Sequence, residues 1–417
     1  MFFTDLKCIR CGRPAEDTWK FDECPHCIQE GVSANYSATI DLTPGKTSDS
    51  FLLNDQPGIF KYRHLYAIKP DTKPVSLYEG DTPLIPLDKL GKKFALTSFY
   101  AKDETRNPTW SHKDRLSALG VTKARETGFP CVIVSSTGNQ GISAAAYAAK
   151  ASMHAVVLTS ITSPKVMKTL MQSYGAMVFQ IPTSAERTAL VEKCVRELGF
   201  FPLTGFGSEN KGANPYAIDG YKSLAFELVK QLGSEPDQVV FAIAGGDSLV
   251  GTWKGFVDLY HLGLIKKLPQ MIAAEPLGPL TKTVAAQSQI PLSVKERPTV
   301  AFAVASPKCT YQALKVIYDS KGDAVTVDDS DIMQAQEDLA VNEGIFVEPS
   351  SAVSLAAVKQ LVKTGRLNRG DKIVAVLTST GLKESESAAA RLAEPPVIEP
   401  TIEALTETMK RFYHLVI

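Results

Sequence analysis

Four short segments of this 417-residue chain carry residue types that could do chemistry. In Asn107-Pro108-Thr109-Trp110-Ser111-His112-Lys113-Asp114-Arg115, a lysine opens a stretch of helical spacing, 113–126. A helix N-terminus is positive, so an amine placed there gives up its proton more readily. A lysine held partly neutral can form a Schiff base and act as a base, although the charged first turn of a surface helix would read the same way. In Ser135-Ser136-Thr137-Gly138-Asn139-Gln140-Gly141, an apolar strand ends and an Ala-rich helix begins. Free N–H groups and the helix dipole suit such a turn to a carboxylate, and Asn139 adds a side-chain amide; a plain capped helix start is the alternative. Gly245-Gly246-Asp247-Ser248-Leu249 follows a buried apolar run. Glycines there let backbone N–H groups close on a phosphate, though the segment is neither a G-x-G-x-x-G fingerprint nor a Walker loop. In Thr378-Ser379-Thr380-Gly381-Leu382-Lys383, three hydroxyls stand at a strand end. Open α/β sheets bind ligands at such ends, and helix capping uses the same residues.

Four of the seven cysteines fall in the first 27 residues, as the pairs Cys8/Cys11 and Cys24/Cys27. Two C-x-x-C knuckles suit a closed tetrahedral zinc site, hence a structural one, rather than a chance cluster or a redox pair. His26 inside the second knuckle reads as a solvated loop histidine. Residues 1–30 hold four basic and six acidic side chains, the wrong sign for phosphate contacts, so the ribbon is expected to staple the N-terminus and not to bind nucleic acid.

These segments need elements to hold them. Short apolar runs predict buried strands at 94–100, 130–135, 154–159, 177–181, 238–244, 271–275 and 372–378. Helical spacing predicts helices at 113–126, 140–152, 163–174, 184–198, 220–232 and 350–364. The alternation is that of an α/β protein. A polar stretch over 32–58 reads as a linker or arm, and a separate terminal helix is expected within 394–417, after Pro395-Pro396. With 45 Lys+Arg against 45 Asp+Glu, the chain lacks the bias of a nucleic-acid or membrane-surface binder. It has no apolar run long enough to cross a membrane and no secretory signal at its start, so a cytoplasmic setting is expected.

Taken together, the segments resemble the fold type II family of pyridoxal-phosphate enzymes, and most closely its threonine synthase branch. The resemblance is carried by Asn107-Pro-Thr-x-Ser-x-Lys113-Asp-Arg115, by Ser136-Thr-Gly-Asn-x-Gly-x-Ser-Ala-Ala-Ala-Tyr147, by Gly80-Asp-Thr-Pro-Leu84, and by Glu343-Gly-Ile-x-x-Glu-Pro-Ser-Ser-Ala352. The cysteine ribbon also occurs at the start of many threonine synthase-like chains. The resemblance implies two open-sheet α/β domains with a zinc-ribbon-like subdomain at 1–31. The large domain would comprise 32–126 and 213–417, and the small domain 127–212. Lys113 would hold pyridoxal 5′-phosphate and then move protons. Asn139 would lie beside the 3′-oxygen of the ring, and Thr378 would face its nitrogen. A hydroxyl facing that nitrogen, in place of a carboxylate, suits elimination and replacement. The N–H groups of Gly245, Gly246, Asp247, Ser248 and Leu249 would cradle the cofactor phosphate. Those of Ser136, Thr137, Gly138, Asn139 and Gln140 would hold the α-carboxylate of a small amino-acid substrate. A homodimer is also implied.

Two departures bear on the substrate. Trp110-Ser111-His112 replaces the Gly-Ser-Phe expected before the lysine, which would shrink the pocket and add a titratable group. Ala217, in Asn214-Pro-Tyr-Ala-Ile-Asp-Gly-Tyr-Lys222, stands where threonine synthases usually carry an arginine that grips the substrate phosphate. Two activities therefore stay open. One is threonine synthase, making threonine and phosphate from O-phosphohomoserine and water. The other is a related β-eliminating or β-replacing enzyme, such as a hydroxy-amino-acid dehydratase, an ammonia-lyase or a β-substituting synthase.

Overall fold

A computed structural model describes residues 3–15, 21–42, 56–206 and 212–415. Among the described residues twelve strands follow in chain order: β1 (Phe3–Cys8), β2 (Tyr36–Ile40), β3 (Leu84–Pro86), β4 (Ser98–Asp103), β5 (Cys131–Ser135), β6 (His154–Thr159), β7 (Met177–Gln180), β8 (Phe201–Pro202), β9 (Gln238–Ala242), β10 (Gln270–Glu275), β11 (Asp323–Thr326) and β12 (Lys372–Leu377). They form three sheets, ordered β1-β2, β11-β10-β9-β12-β4-β3 and β7-β6-β5-β8. The two larger sheets are parallel throughout except where β3 runs against β4.

Parallel strands covered on both faces read as continuous apolar runs, and β9 is buried along its whole length. Its side chains alternate between two cores. Val239 and Phe241 join the larger one, while Val240 and Ala242 join a second with Ile373, Ala375 and Leu377 of β12. The larger core also takes in Val132 and Val134 of β5, so it continues from the six-stranded sheet to the four-stranded one. Cys131 and Ile133 face the other way, toward Val191 of helix Ser184–Leu198.

Helices Lys113–Glu126 and Ser184–Leu198 fall where their spacing predicts. The strand expected at 94–100 is displaced to β4: Phe94 ends helix Asp88–Phe94, which Ala95 closes in a left-handed conformation (φ 55°). The polar stretch 32–58 is not all linker. β2 lies within it and pairs antiparallel with β1, so the sheet beside the cysteines draws on residues beyond 31; 43–55 lies outside the described residues. Contacts divide the chain into Met1–Lys383 and Glu384–Ile417. The second unit holds helix Ile402–Tyr413, started by Thr401, whose hydroxyl accepts from the Ala404 N–H. Among the described residues no helix is long and apolar enough to cross a membrane.

Candidate active site

The turns that carry the chemical residues follow β4, β5, β9 and β12, all at the C-terminal ends of parallel strands. Ligands gather at such ends because loops and helix N-termini converge there.

The lysine turn is anchored from beneath. Arg115, fully buried, donates to Glu104 (2.7 and 2.8 Å) and to Glu227 (2.6 and 2.8 Å). Lys102 joins Glu227 at 2.7 Å, so two cations meet two carboxylates with no solvent access. The Gly80–Leu84 motif closes this cluster. Thr82 donates to Glu104 (2.5 Å), and the Gly80 N–H donates to Asn107 (3.0 Å). Asp114 then ties the first helical turn, accepting from the Thr109 N–H (2.6 Å), the Thr109 hydroxyl (2.5 Å) and the Ser143 hydroxyl (2.6 Å). Lys113 is the first residue of its helix and half-buried. Desolvation lowers its pKa, while Asp247 and Glu348 pull it back up.

His112, just before it, is buried and stacks on Tyr221, with ring centroids 5.5 Å apart. Burial and the neighbouring Lys113 hold its pKa well below the ordinary histidine value, so it is a neutral ring rather than a group titrating beside the lysine. Trp110 adopts a left-handed backbone (φ 59°) and keeps 41% of its surface exposed. Its carbonyl accepts from the Ser379 hydroxyl (3.1 Å) and the Thr380 N–H (3.2 Å), which joins the lysine turn to the end of β12.

The second turn opens helix Asn139–Lys150. Two of its five expected donors are already engaged: Ser136 N–H bonds Leu158 O (2.9 Å), and Gly138 N–H bonds the Ser136 hydroxyl (3.2 Å). No acceptor meets those of Thr137, Asn139 and Gln140 among the described residues, which leaves them for a ligand. The Gln140 side chain points away to Ser117 (3.2 Å), and Tyr147 fastens the helix to Glu79 (2.8 Å).

Asn139 sits between two buried charges that the residue pattern alone did not single out. Its amide nitrogen donates to both oxygens of Glu348 (3.1 and 3.0 Å), and its amide oxygen accepts from Lys383 (2.6 Å). An ammonium only donates, so Lys383 fixes which way this amide faces. Lys383 also donates to Thr109 O (2.8 Å). Thr378 is held through its backbone, its N–H bonding the Ser351 hydroxyl (2.7 Å).

The third turn opens helix Asp247–His261, and no side chain caps it. Gly246 is left-handed (φ 88°), and a Cβ there would stand 2.7 Å from that of Ala313. A glycine-only turn with uncapped N–H groups fits a phosphate, and with Lys113 and Asn139 the residues fit pyridoxal 5′-phosphate. The Asp247 carboxylate is turned aside: it accepts from the Ala213 N–H (2.9 Å) and Gln312 (3.1 Å).

The cysteines also fit their group. The four sulfurs lie within 4.8 Å of one another, with Cys8–Cys27 at 3.6 Å and Cys11–Cys24 at 3.7 Å. Zn–S bonds of about 2.3 Å in a tetrahedron put sulfurs roughly 3.8 Å apart. His26 is not among them; it lies 3.7 Å from Glu30. Tyr216 belongs to the same buried cluster as Cys8, Cys24 and Cys27, and Tyr311 packs against it. Those tyrosines adjoin the segments that touch the phosphate turn: Ala213 and Gln312 meet Asp247, and Thr310 donates to Gly245 O (2.6 Å).

Residues 75–379 match the family model described as pyridoxal-phosphate dependent enzyme. The chain is 32% identical over 413 residues to the threonine synthase of Methanocaldococcus jannaschii, covering 97% of this chain and 99% of that one. It is 33% identical over 415 residues to the threonine synthase of Methanosarcina acetivorans, covering 97% and 98%. Among solved structures, maize serine racemase superposes with a TM-score of 0.63 at 20% identity, over 74% of this chain and 92% of that one. The processed form of threonine deaminase isoform 2 from Solanum lycopersicum gives 0.62 at 19% identity, over 74% and 83%. Likeness at that identity speaks to the fold alone.

Proposed function

We propose that this chain, which belongs to the pyridoxal-phosphate dependent enzyme family on its threonine synthase-like branch, converts O-phosphohomoserine and water to threonine and phosphate. The observation that carries this reading is the extent of the likeness: 32–33% identity over 97% of the chain, cysteine ribbon included. Bound pyridoxal phosphate would supply an electron-withdrawing ring that eases loss of a proton from an amino-acid carbon. Lys113 would hold it and, once displaced, move that proton; desolvation favours the neutral amine this needs. The N–H groups of Gly245 to Leu249 would hold its phosphate. Asn139 would meet its ring oxygen, with Lys383 setting the orientation of the amide. Thr378 would face the ring nitrogen. The N–H groups of Thr137, Asn139 and Gln140 would orient the substrate carboxylate.

A second reading, elimination or replacement on an amino acid without phosphate, is favoured by Ala217. It is fully buried, and a Cβ on Gly120 would meet its own at 2.9 Å, so this position offers no cation to a substrate. A structural zinc on Cys8, Cys11, Cys24 and Cys27, a homodimer, a carbon–oxygen lyase acting on phosphates and a cytoplasmic setting belong to the same proposal. Incubation with O-phosphohomoserine tests it: stoichiometric phosphate and threonine are expected. Ammonia and a 2-oxo acid from serine or threonine, without phosphate release, would select the second reading. Lys113→Ala should abolish the visible absorbance of the bound cofactor.

A further inference from the structure

Tyr221 carries a buried hydroxyl that the protein itself leaves unused. The residue closes the short turn Ala217–Tyr221, ahead of helix Lys222–Leu232, and is fully buried. Its phenol oxygen has no hydrogen-bond partner among the described residues. Taking a hydroxyl out of water without a partner is costly, and such a group in a native protein calls for one. Phenylalanine would fill the same space without that penalty.

The position of Tyr221 says what the partner is. The residue is wedged between the starts of two helices, Lys113–Glu126 and Asp247–His261. On one side its ring stacks on His112, the residue before Lys113, with centroids 5.5 Å apart and planes 29° from parallel. On the other, a Cβ on Gly251, in the second turn of the phosphate helix, would stand 2.6 Å from the Cβ of Tyr221. Burial, and after it the charge of Asp247 at the first position of that helix, hold the phenol's pKa well above its ordinary value, so the hydroxyl keeps a proton to donate. Asp247 is not the acceptor, because its carboxylate takes the Ala213 N–H and Gln312 instead. What lies at both helix starts is the cofactor, held by Lys113 at one end and by the Gly245–Leu249 turn at its phosphate.

We propose that the Tyr221 hydroxyl is a further ligand of the cofactor phosphate, donating one hydrogen bond beside the backbone N–H groups of Gly245 to Leu249. A hydrogen bond to an ionised oxygen is roughly twice as strong as one between neutral groups. It offsets the repulsion that the Asp247 carboxylate brings to the same turn. Tyr221 is thus a binding residue for the cofactor and not for the amino-acid substrate. This inference rests on the reading of the site as a pyridoxal-phosphate centre.

The test uses Tyr221→Phe, which removes the hydroxyl and keeps the ring on His112. Cofactor-free wild type and variant, both full-length and zinc-replete, are titrated with pyridoxal 5′-phosphate and with pyridoxal, which lacks the phosphate. Wild type should bind the phosphorylated form more tightly. Tyr221→Phe should lose about tenfold of that affinity, as expected for a hydrogen bond to a charged group, and none of the affinity for pyridoxal. Without cofactor, Tyr221→Phe should unfold in urea no earlier than wild type, because an unpartnered buried hydroxyl is gone; with pyridoxal 5′-phosphate added, wild type should gain more stability than the variant. Unchanged affinity for pyridoxal 5′-phosphate in Tyr221→Phe overturns the proposal, as does an equal loss for both ligands. A cofactor-free variant that unfolds earlier, or does not fold, overturns it too, since the hydroxyl would then be engaged within the protein. A wild type that does not distinguish the two ligands removes the phosphate turn as a site and the proposal with it. Threonine formation from O-phosphohomoserine is scored separately, so the activity can fail while Tyr221 stands, and the converse.

Discussion

Thr378 O accepts two hydrogen bonds from His112, one from its backbone N–H at 2.9 Å and one from ring Nδ1 at 3.1 Å. A carbonyl only accepts, so Nδ1 carries the proton and the ring is the neutral Nδ1–H tautomer. The end of β12 and the start of the Lys113 helix are thereby tied by one residue, through its backbone and its ring.

This tie has a pH signature. The folded pKa of His112 lies well below its ordinary value of 6.5, so below that pH the unfolded chain binds a proton the folded one refuses. Stability is full above 6.5 and falls as the pH drops toward the folded value. One proton limits the slope to about 1.4 kcal/mol per pH unit. Urea midpoints measured from pH 7.5 down to 5.5 should fall less steeply in His112→Gln; parallel curves would place the titration elsewhere.

Arg115 predicts a stability effect. Arg115→Met leaves Glu104 and Glu227 buried with only Lys102 to neutralise them. Breaking such a cluster costs about 3–5 kcal/mol, readable as a lower urea midpoint.

Gly246→Ala tests the phosphate turn. Its left-handed backbone and the 2.7 Å approach to Ala313 leave no room for a methyl group, and strain of about 1–3 kcal/mol is expected. Equilibrium dialysis should show weaker cofactor retention; unchanged retention would mean the phosphate lies elsewhere.

Metal analysis should find one zinc per chain, lost in Cys8→Ser. Because Tyr216 and Tyr311 lean on the cysteine cluster, removing the metal with a chelator should also speed cofactor release from the holoenzyme. Release at the wild-type rate would show that the ribbon is mechanically separate from the phosphate turn.

The parts of this site that were legible in the sequence are those whose signals are local. Lys113, Asn139 and Gly246 sit at strand-to-helix turns, where a few adjacent residues reveal both the geometry and the exposed N–H groups. Helix Ser184–Leu198 was equally plain, bracketed by the Thr183 capping box and the left-handed Gly199. Glu348 and Lys383 stand in segments the sequence marked out, but their roles were not legible, because each acts through Asn139, 209 and 244 residues away. The neutrality of His112 likewise depends on burial that no adjacent residue announces. β8 was missed because two residues carry no periodicity to stand out.

β12 lies between β4 and β9, although it is the last strand in the chain. A ribosome delivers β4 and β9 long before it. Without Lys372–Leu377 the large sheet could form only as two fragments, β3-β4 and β9-β10-β11, each with an unpaired edge facing the gap. Such edges invite pairing with other chains. The same late segment brings Thr378 and Lys383. Joining of the two fragments into one sheet therefore waits for β12, and a chain cut short before it would be an aggregation hazard rather than a weakened enzyme.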